Sequence, residues 1–318
     1  MKIRQVLFGC ASYVPGVYEL VAAHTGGTNS ARYCYSVWLR HVAMAHRHGL
    51  STYPRVVAEL GPGDSLGTGL AALISGCDTY CALDVVRYGS TGRNLAIFDE
   101  LVALFRAKAD IPGPDEFPGI RPLLDDYRFP AFLAVGDRRA AALCDDRIGR
   151  LRLSLEHLDG AQSAIKYVVP WLGSDTLGPQ SVDMIWSQAV LQYVADLPTA
   201  YREMYRWLKP GAFMSHQIDF SAHQTSDEWY GHWTYSDLRW AVLRGRKPFW
   251  LNREPRSTHI RLLQSCGFDL AREVPMICEL PIDRVRLAPR FRHLASEDLA
   301  TMGTFVLARK RAVGPVVG

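Results

Sequence analysis

Val56-Val57-Ala58-Glu59-Leu60-Gly61-Pro62-Gly63-Asp64-Ser65-Leu66-Gly67 is an apolar run that ends in an acid and enters a glycine-rich turn. Leu70, Leu73 and Ile74 then recur at helical spacing. That order predicts a strand, a tight turn and a helix. A backbone without Cβ can take positive φ and approach a ligand closely, so Gly61 and Gly63 mark the turn as a place where something is held.

Working outward, a second apolar run at 79–84 also ends in an acid, Asp84, 25 residues after Glu59, the length of one βαβ unit. A carboxylate at the tip of a second strand is where nucleotide-binding α/β folds hold a ribose diol. Further strands are expected at 165–169, 182–186, 212–220, 269–275 and 301–308, with helices between them. The pattern predicts an α/β fold with a doubly wound, mostly parallel sheet. Before it lies a helical lead-in or lid over 1–50, in which Tyr35, Trp38, Leu39 and Val42 share one helix face. The binding domain, 51–318, carries two insertions. The first, about 88–165, is proline-rich and then helical, and is expected near the site mouth. The second, about 221–255, holds Trp229, Trp233, Trp240 and Trp250, four of the eight tryptophans.

The composition is that of an ordinary soluble domain, with 48% hydrophobic and 21% charged residues. A net charge of +4 without a basic stripe argues against nucleic acid as a partner. Seven scattered cysteines without a CxxC pair suit free buried thiols, and no set of residues has metal-ligand spacing. The apolar stretch before Cys10 is shorter than the ~7–15 residues of a signal h-region, and no run reaches the ~18 of a membrane span. The expectation is a cytoplasmic protein without membrane insertion; nothing in the chain speaks to its oligomeric state.

The turn departs from the dinucleotide pattern G-x-G-x-x-G, because Leu66 stands where the third glycine belongs and Gly67 comes one place late. An acid beside the turn, Asp64, would repel a pyrophosphate and suits a ligand with positive charge. S-adenosylmethionine (SAM), with its ammonium and sulfonium, is such a ligand. Here a resemblance enters. Glu59-Leu60-Gly61-Pro62-Gly63 resembles the E-x-G-x-G motif of the class I SAM-dependent methyltransferases, and Asp84 matches the acid after their second strand. Residues 181–194 resemble their fourth-strand motif, Trp207-Leu208-Lys209-Pro210-Gly211-Ala212 their L-K-P-G-G turn, and 262–270 their helix ending in G-F. The resemblance spans about residues 53–309, interrupted by the insertions. It implies seven strands with the last one antiparallel. Tyr193 stands where the family often has histidine, and Ala212 replaces the second glycine of the turn.

The resemblance and the strand ends together make Glu59, Gly61, Pro62, Gly63, Asp64, Ser65, Asp84, Val85, Trp171, Ser187, Gln188 and Ala189 the expected cofactor contacts. Methyl transfer to a hydroxyl needs a base. Asp219, His223 and His232 are the candidates, with His216 inside the fifth strand as a rival that suits a core role. Tyr33, Trp229 and Trp233 are expected to meet a small-molecule acceptor, a sugar or secondary metabolite. The aromatic insertion reads equally as an acceptor lid or as a small satellite core. Two other functions fit parts of the pattern: a SAM-binding protein that transfers no methyl, such as a cyclase or scaffold, and, on weaker grounds, a nicotinamide oxidoreductase.

Overall fold

The computed structural model describes residues 27–312 except 135, 159, 161, 172–174, 248 and 280–281, together with residues 9 and 11–13. The rest of the lead-in and the chain end lie outside the described residues.

Short apolar runs become the parallel strands β1 (Val56–Leu60), β2 (Thr79–Leu83), β3 (Ile165–Val168), β4 (Val182–Gln188) and β5 (Leu208–Asp219). β6 (Phe268–Ile277) and β7 (Thr301–Lys310) complete a seven-stranded sheet of order β3-β2-β1-β4-β5-β7-β6. β7 runs antiparallel to both of its neighbours. The order reverses between β1 and β4, so a crevice opens at their carboxyl ends, where open α/β sheets bind ligands. The Lys209-Pro210-Gly211 segment, expected as a turn before β5, is the irregular start of that strand. Pairing with β4 shifts register there, and Lys209 pairs with Asp183 at 2.7 Å.

Helix α1 (Ala31–Arg47) lies in the lead-in, and it is core rather than appendage. Tyr35, Trp38, Leu39 and Val42 are fully buried, at roughly 1.5–3 kcal/mol of stabilisation for each large side chain. The opposite face is buried too. Arg40 donates to the carbonyls of Ile120 (2.8 Å) and Pro112 (2.7 Å), and Ser36 donates to Pro112 (2.8 Å). The proline-rich part of the first insertion thus lies along α1. A helix buried all round needs such a cover.

α2 (Gly67–Ile74) connects β1 to β2. The remainder of the first insertion is helical but broken: α3 (Thr91–Ala107) is followed by α4 (Ala131–Ala134), α5 (Gly136–Ala142) and α6 (Asp145–Glu156), which leads into β3. After β4 come α7 (Leu197–Trp207), α8 (Asp237–Arg244) in the second insertion, α9 (Arg256–Ser265) and α10 (Ser296–Ala300). At the start of α9, Ser257 donates its hydroxyl to Asp298 at 2.6 Å. Cys34, Cys77 and Cys81 are buried free thiols, whereas Cys144 is exposed. Among the described residues no helix is long and apolar enough to cross a membrane, and no group of three His, Cys, Asp or Glu residues is placed to hold a metal.

Candidate functional site

The turn after β1 has the conformation its glycines allow: φ is +66° at Gly61 and +76° at Gly63. Gly61 donates its N–H to Leu83 at 2.8 Å, tying the turn to the end of β2. Pro62, Asp64 and Ser65 are buried, so the two glycines are the part of the turn left partly open. Asp64, expected to face a charged ligand, is 1% exposed. Ser65 spends its hydroxyl inside the protein, donating to the carbonyl of Thr28.

Two polar residues that the sequence reading passed over hold this turn. Thr28 donates its hydroxyl to Pro62 at 2.7 Å and accepts the Ser65 N–H at 2.9 Å. Asn94, 1% exposed, accepts the Leu66 N–H at 2.9 Å. In the sequence Thr28 is one of a polar cluster before α1, and Asn94 one polar position within α3. Neither position carries a local signal for a contact so far along the chain.

Asp84 follows β2 directly, on the neighbouring strand tip. Its Oδ1 accepts the Val85 N–H at 2.7 Å, so Val85 serves the site by orienting the carboxylate. Burial raises the pKa of Asp84, opposed by amides of Val85, Val86 and Gly63. Trp171 donates its backbone N–H to Asp84 at 3.0 Å, but its ring lies edge-on to Trp207 at 6.0 Å, among the apolar side chains packed along α7.

Glu59 lies beneath the turn, 2% exposed, and accepts a hydrogen bond from Tyr80 at 2.5 Å. Burial pushes its carboxyl up to about 8, against the hydrogen bond from Tyr80. The folded protein therefore keeps this proton to about pH 8, whereas the unfolded chain releases it near 4.5. Between those values the folded state binds more protons, so stability falls as pH rises. Urea unfolding of the ligand-free protein is expected to show this decline, and Glu59→Gln is expected to flatten it. Equal slopes for the two proteins would remove Glu59 as the cause.

At the ends of β4 and β5 the polar side chains form pairs. Ser187 is fully buried and shares a 2.7 Å hydrogen bond with His216 Nδ1. Burial holds His216 at about 3, which keeps it neutral and makes it a core residue. Gln188 meets His41 Nε2 at 3.0 Å and donates to Gln217, whose Oε1 also accepts the Arg121 N–H at 2.7 Å. Ser187 and Gln188 thus have their side chains engaged, and Ala189 takes φ +54° and donates its N–H to Gln217 at 2.9 Å. A Cβ on Gly61 would lie 2.6 Å from Val190, so the glycine turn and the end of β4 touch.

Beyond β5, Asp219 and His223 come together, with Oδ2 and Nε2 3.7 Å apart and each side chain about one-third exposed. The Tyr193 ring lies 5.5 Å from that of His223. His232, the other candidate base, is 2% exposed against Trp233, and burial holds it at about 3. Trp233 is fully buried and donates Nε1 to Arg253 at 3.0 Å. It packs with Leu287, Phe291 and Leu299, and Trp229 lies against it at 5.7 Å. This part of the second insertion is a satellite core rather than an acceptor lid. In it Trp233 has no surface to offer an acceptor, and His232 none to offer a proton. Tyr33 is half-buried, edge-on to Phe117 at 5.6 Å, and next to it Arg32 forms a two-point ion pair with Glu116. The lead-in and the first insertion meet there.

A family model described as a methyltransferase domain matches residues 150–215, the segment from α6 through β3 and β4 into β5. That match supports the resemblance to the class I SAM-dependent methyltransferases. The cofactor of this family is SAM. A phosphoethanolamine N-methyltransferase of wheat (Triticum aestivum) is 30% identical over 67 residues, 21% of this chain and 13% of the relative. The match thus spans about an eighth of that relative's length. Among solved structures, similarity is found to a putative sarcosine dimethylglycine methyltransferase from Galdieria sulphuraria (10% identical, TM-score 0.46, covering 97% of this chain and 98% of that one). A SAM-dependent methyltransferase from Methanosarcina mazei is 13% identical with a TM-score of 0.44, covering 85% of this chain and 97% of that one. The residues present fit a SAM molecule: a Cβ is missing at both open positions of the turn, and a carboxylate, Asp84, stands at the next strand tip.

Proposed function

We propose that this methyltransferase acts on a hydroxyl group of a small molecule, a sugar or secondary metabolite by class. The observation that carries this reading is the Asp219–His223 pair, 3.7 Å apart and open to solvent at the carboxyl end of the sheet. Bound SAM supplies an electrophilic methyl group; the protein must place the acceptor and take its proton. The open backbone at Gly61 and Gly63, without Cβ atoms, would let the methionine part approach closely, Asp84 would hold the ribose hydroxyls, and the backbone at 187–189 the far side. His223 would take the hydroxyl proton, and Asp219 would stabilise the resulting imidazolium. Tyr193 supports the His223 ring from one side, and Tyr33 flanks the acceptor from the lead-in.

Nitrogen is the competing acceptor atom, suggested by the name of the wheat relative. The family match covers residues 150–215, which includes neither the glycine turn and Asp84 nor the Asp219–His223 pair, so it favours neither acceptor atom. Incubation with methyl-labelled SAM and parallel panels of sugar, phenol and amine acceptors separates the readings. Label is expected in hydroxyl compounds, and His223→Ala is expected to lower that rate about 100-fold with SAM affinity unchanged. Label confined to amines, or a full rate in His223→Ala, would overturn the hydroxyl reading. Absence of transfer to any acceptor would favour a SAM-binding role without methyl transfer.

A further inference from the structure

A separate cleft of about 460 Å³ opens beside the second insertion, between α8, the start of α7 and the start of α9. None of its lining residues belongs to the glycine turn, to Asp84 or to the 187–189 segment. Its walls are unusual in composition: Arg244, Arg253, Arg261 and Arg290 stand around two tryptophan rings, Trp240 and Trp250, and a single acid, Glu254.

The arginines differ in what they already hold. Arg290 donates to Glu254 at 2.7 Å, which uses the acid of the lining. Arg253, 4% exposed, is fixed: it donates to the Tyr235 carbonyl at 2.8 Å and to Asp237 at 2.6 Å, and it stacks over Trp240 at 4.8 Å. Its Nε is buried without a hydrogen-bond partner. Arg244 and Arg261 are exposed, and neither side chain has a partner among the described residues. Two positive charges of the lining therefore go unanswered. The first turn of the ten-residue α9, where Thr258 lines the cleft, adds the positive end of a helix dipole.

The apolar part is equally specific. Trp240 and Trp250 lie 5.5 Å apart with their planes inclined by 43°. Trp240 donates Nε1 to the Leu251 carbonyl at 3.3 Å, which fixes its ring, whereas Trp250 Nε1 is buried without a partner. A buried donor left unpaired is costly, and a ligand that accepts from it would recover that cost. Guanidinium groups favour carboxylate and phosphate oxygens through paired N–H bonds, and indole faces favour flat rings.

We propose that this cleft binds a small planar organic anion, an aromatic ring bearing a phosphate or carboxylate, at a site separate from the methyl-transfer centre. Arg244 and Arg261 take the anionic group, and Trp250 takes the ring on the side away from Lys247, which lies over its ring at 3.7 Å, while Trp240, 7% exposed, backs it. The proposal stands independently of which atom the enzyme methylates.

The test uses the full chain saturated with S-adenosylhomocysteine, so that the cofactor site is filled. Phenyl phosphate is titrated by calorimetry, with inorganic phosphate and phenol as separate arms. Binding of phenyl phosphate at least tenfold tighter than either fragment is expected, together with quenching of tryptophan fluorescence. Arg244→Ala/Arg261→Ala is expected to weaken it at least tenfold while leaving S-adenosylhomocysteine affinity unchanged; both side chains are exposed, so the fold should tolerate the change. Trp250→Leu should weaken phenyl phosphate and leave phosphate unaffected. No binding of phenyl phosphate, binding equal to that of phosphate alone, or undiminished binding in the double variant would overturn the proposal.

Discussion

Asp84→Ala is expected to weaken SAM binding about 1000-fold. The carboxylate would accept both ribose hydroxyls, and a hydrogen bond to a charged group contributes about 1.5–3 kcal/mol. Two such bonds correspond to roughly 100- to 10,000-fold in affinity. The side chain is positioned for this by the backbone around it. Its Oδ1 is anchored by the Val85 N–H at 2.7 Å, and its backbone is clamped by Val168 and Trp171 at 3.1 and 3.0 Å. The carboxylate is thus pre-set, and a ligand pays little to order it. Asp84→Asn keeps the shape and one acceptor oxygen but loses the charge, so its loss should be intermediate, about 30-fold. Calorimetric titration with SAM reads both. An unchanged dissociation constant in Asp84→Ala, with the variant folded by circular dichroism, would refute the ribose assignment.

The order of legibility along the chain follows the range of the interactions. β1, its turn and Asp84 were readable because apolar runs, glycines and a terminal acid are local signals. The antiparallel final strand was readable only through the family resemblance, since nothing in 301–310 itself says which neighbours it pairs with. α1 shows the limit. One buried face followed from Tyr35, Trp38, Leu39 and Val42, but the burial of Arg40 and His41 on the rest of the helix did not. Their partners are carbonyls at Pro112 and Ile120 and side chains at Ser215 and Gln188, all more than seventy residues away. Such polar contacts leave no periodicity. The aromatic insertion is the converse case. Its composition was plain, but composition cannot distinguish rings that face a ligand from rings that face each other. Partners for Trp233 come from 287–299, a segment without an evident motif. Of the three candidate bases, Asp219 and His223 lie at the open end of the sheet, while His232 shares the burial of Trp233.

Gly69→Ala is expected to destabilise the protein by about 3–5 kcal/mol, from overpacking and a disturbed buried hydrogen bond. In the dinucleotide pattern the third glycine lets the helix pack closely on the sheet. Here the late glycine, Gly67, faces α1: a Cβ there would lie 2.4 Å from Cys34 Sγ. The close approach to the sheet falls to Gly69, where a Cβ would lie 2.0–2.2 Å from three atoms of the Tyr80 ring. Tyr80 cannot simply swing away. It is fully buried, its hydroxyl is bonded to Glu59 at 2.5 Å, and its ring stacks on Trp186 at 6.1 Å, which in turn meets Trp38 at 5.0 Å. Displacing the ring would strip Glu59 of its donor directly beneath the cofactor turn, so SAM affinity should fall along with stability. Gly92→Ala, in α3 with nothing within 4 Å of the added Cβ, supplies the control. It should be neutral or stabilising by up to about 1 kcal/mol, because both substitutions reduce the freedom of the unfolded chain but only one meets a wall. Urea unfolding of the two variants measures the difference. A Gly69→Ala protein within about 1 kcal/mol of the parent would mean that Tyr80 yields, and that the glycine is not what sets the distance between helix and sheet.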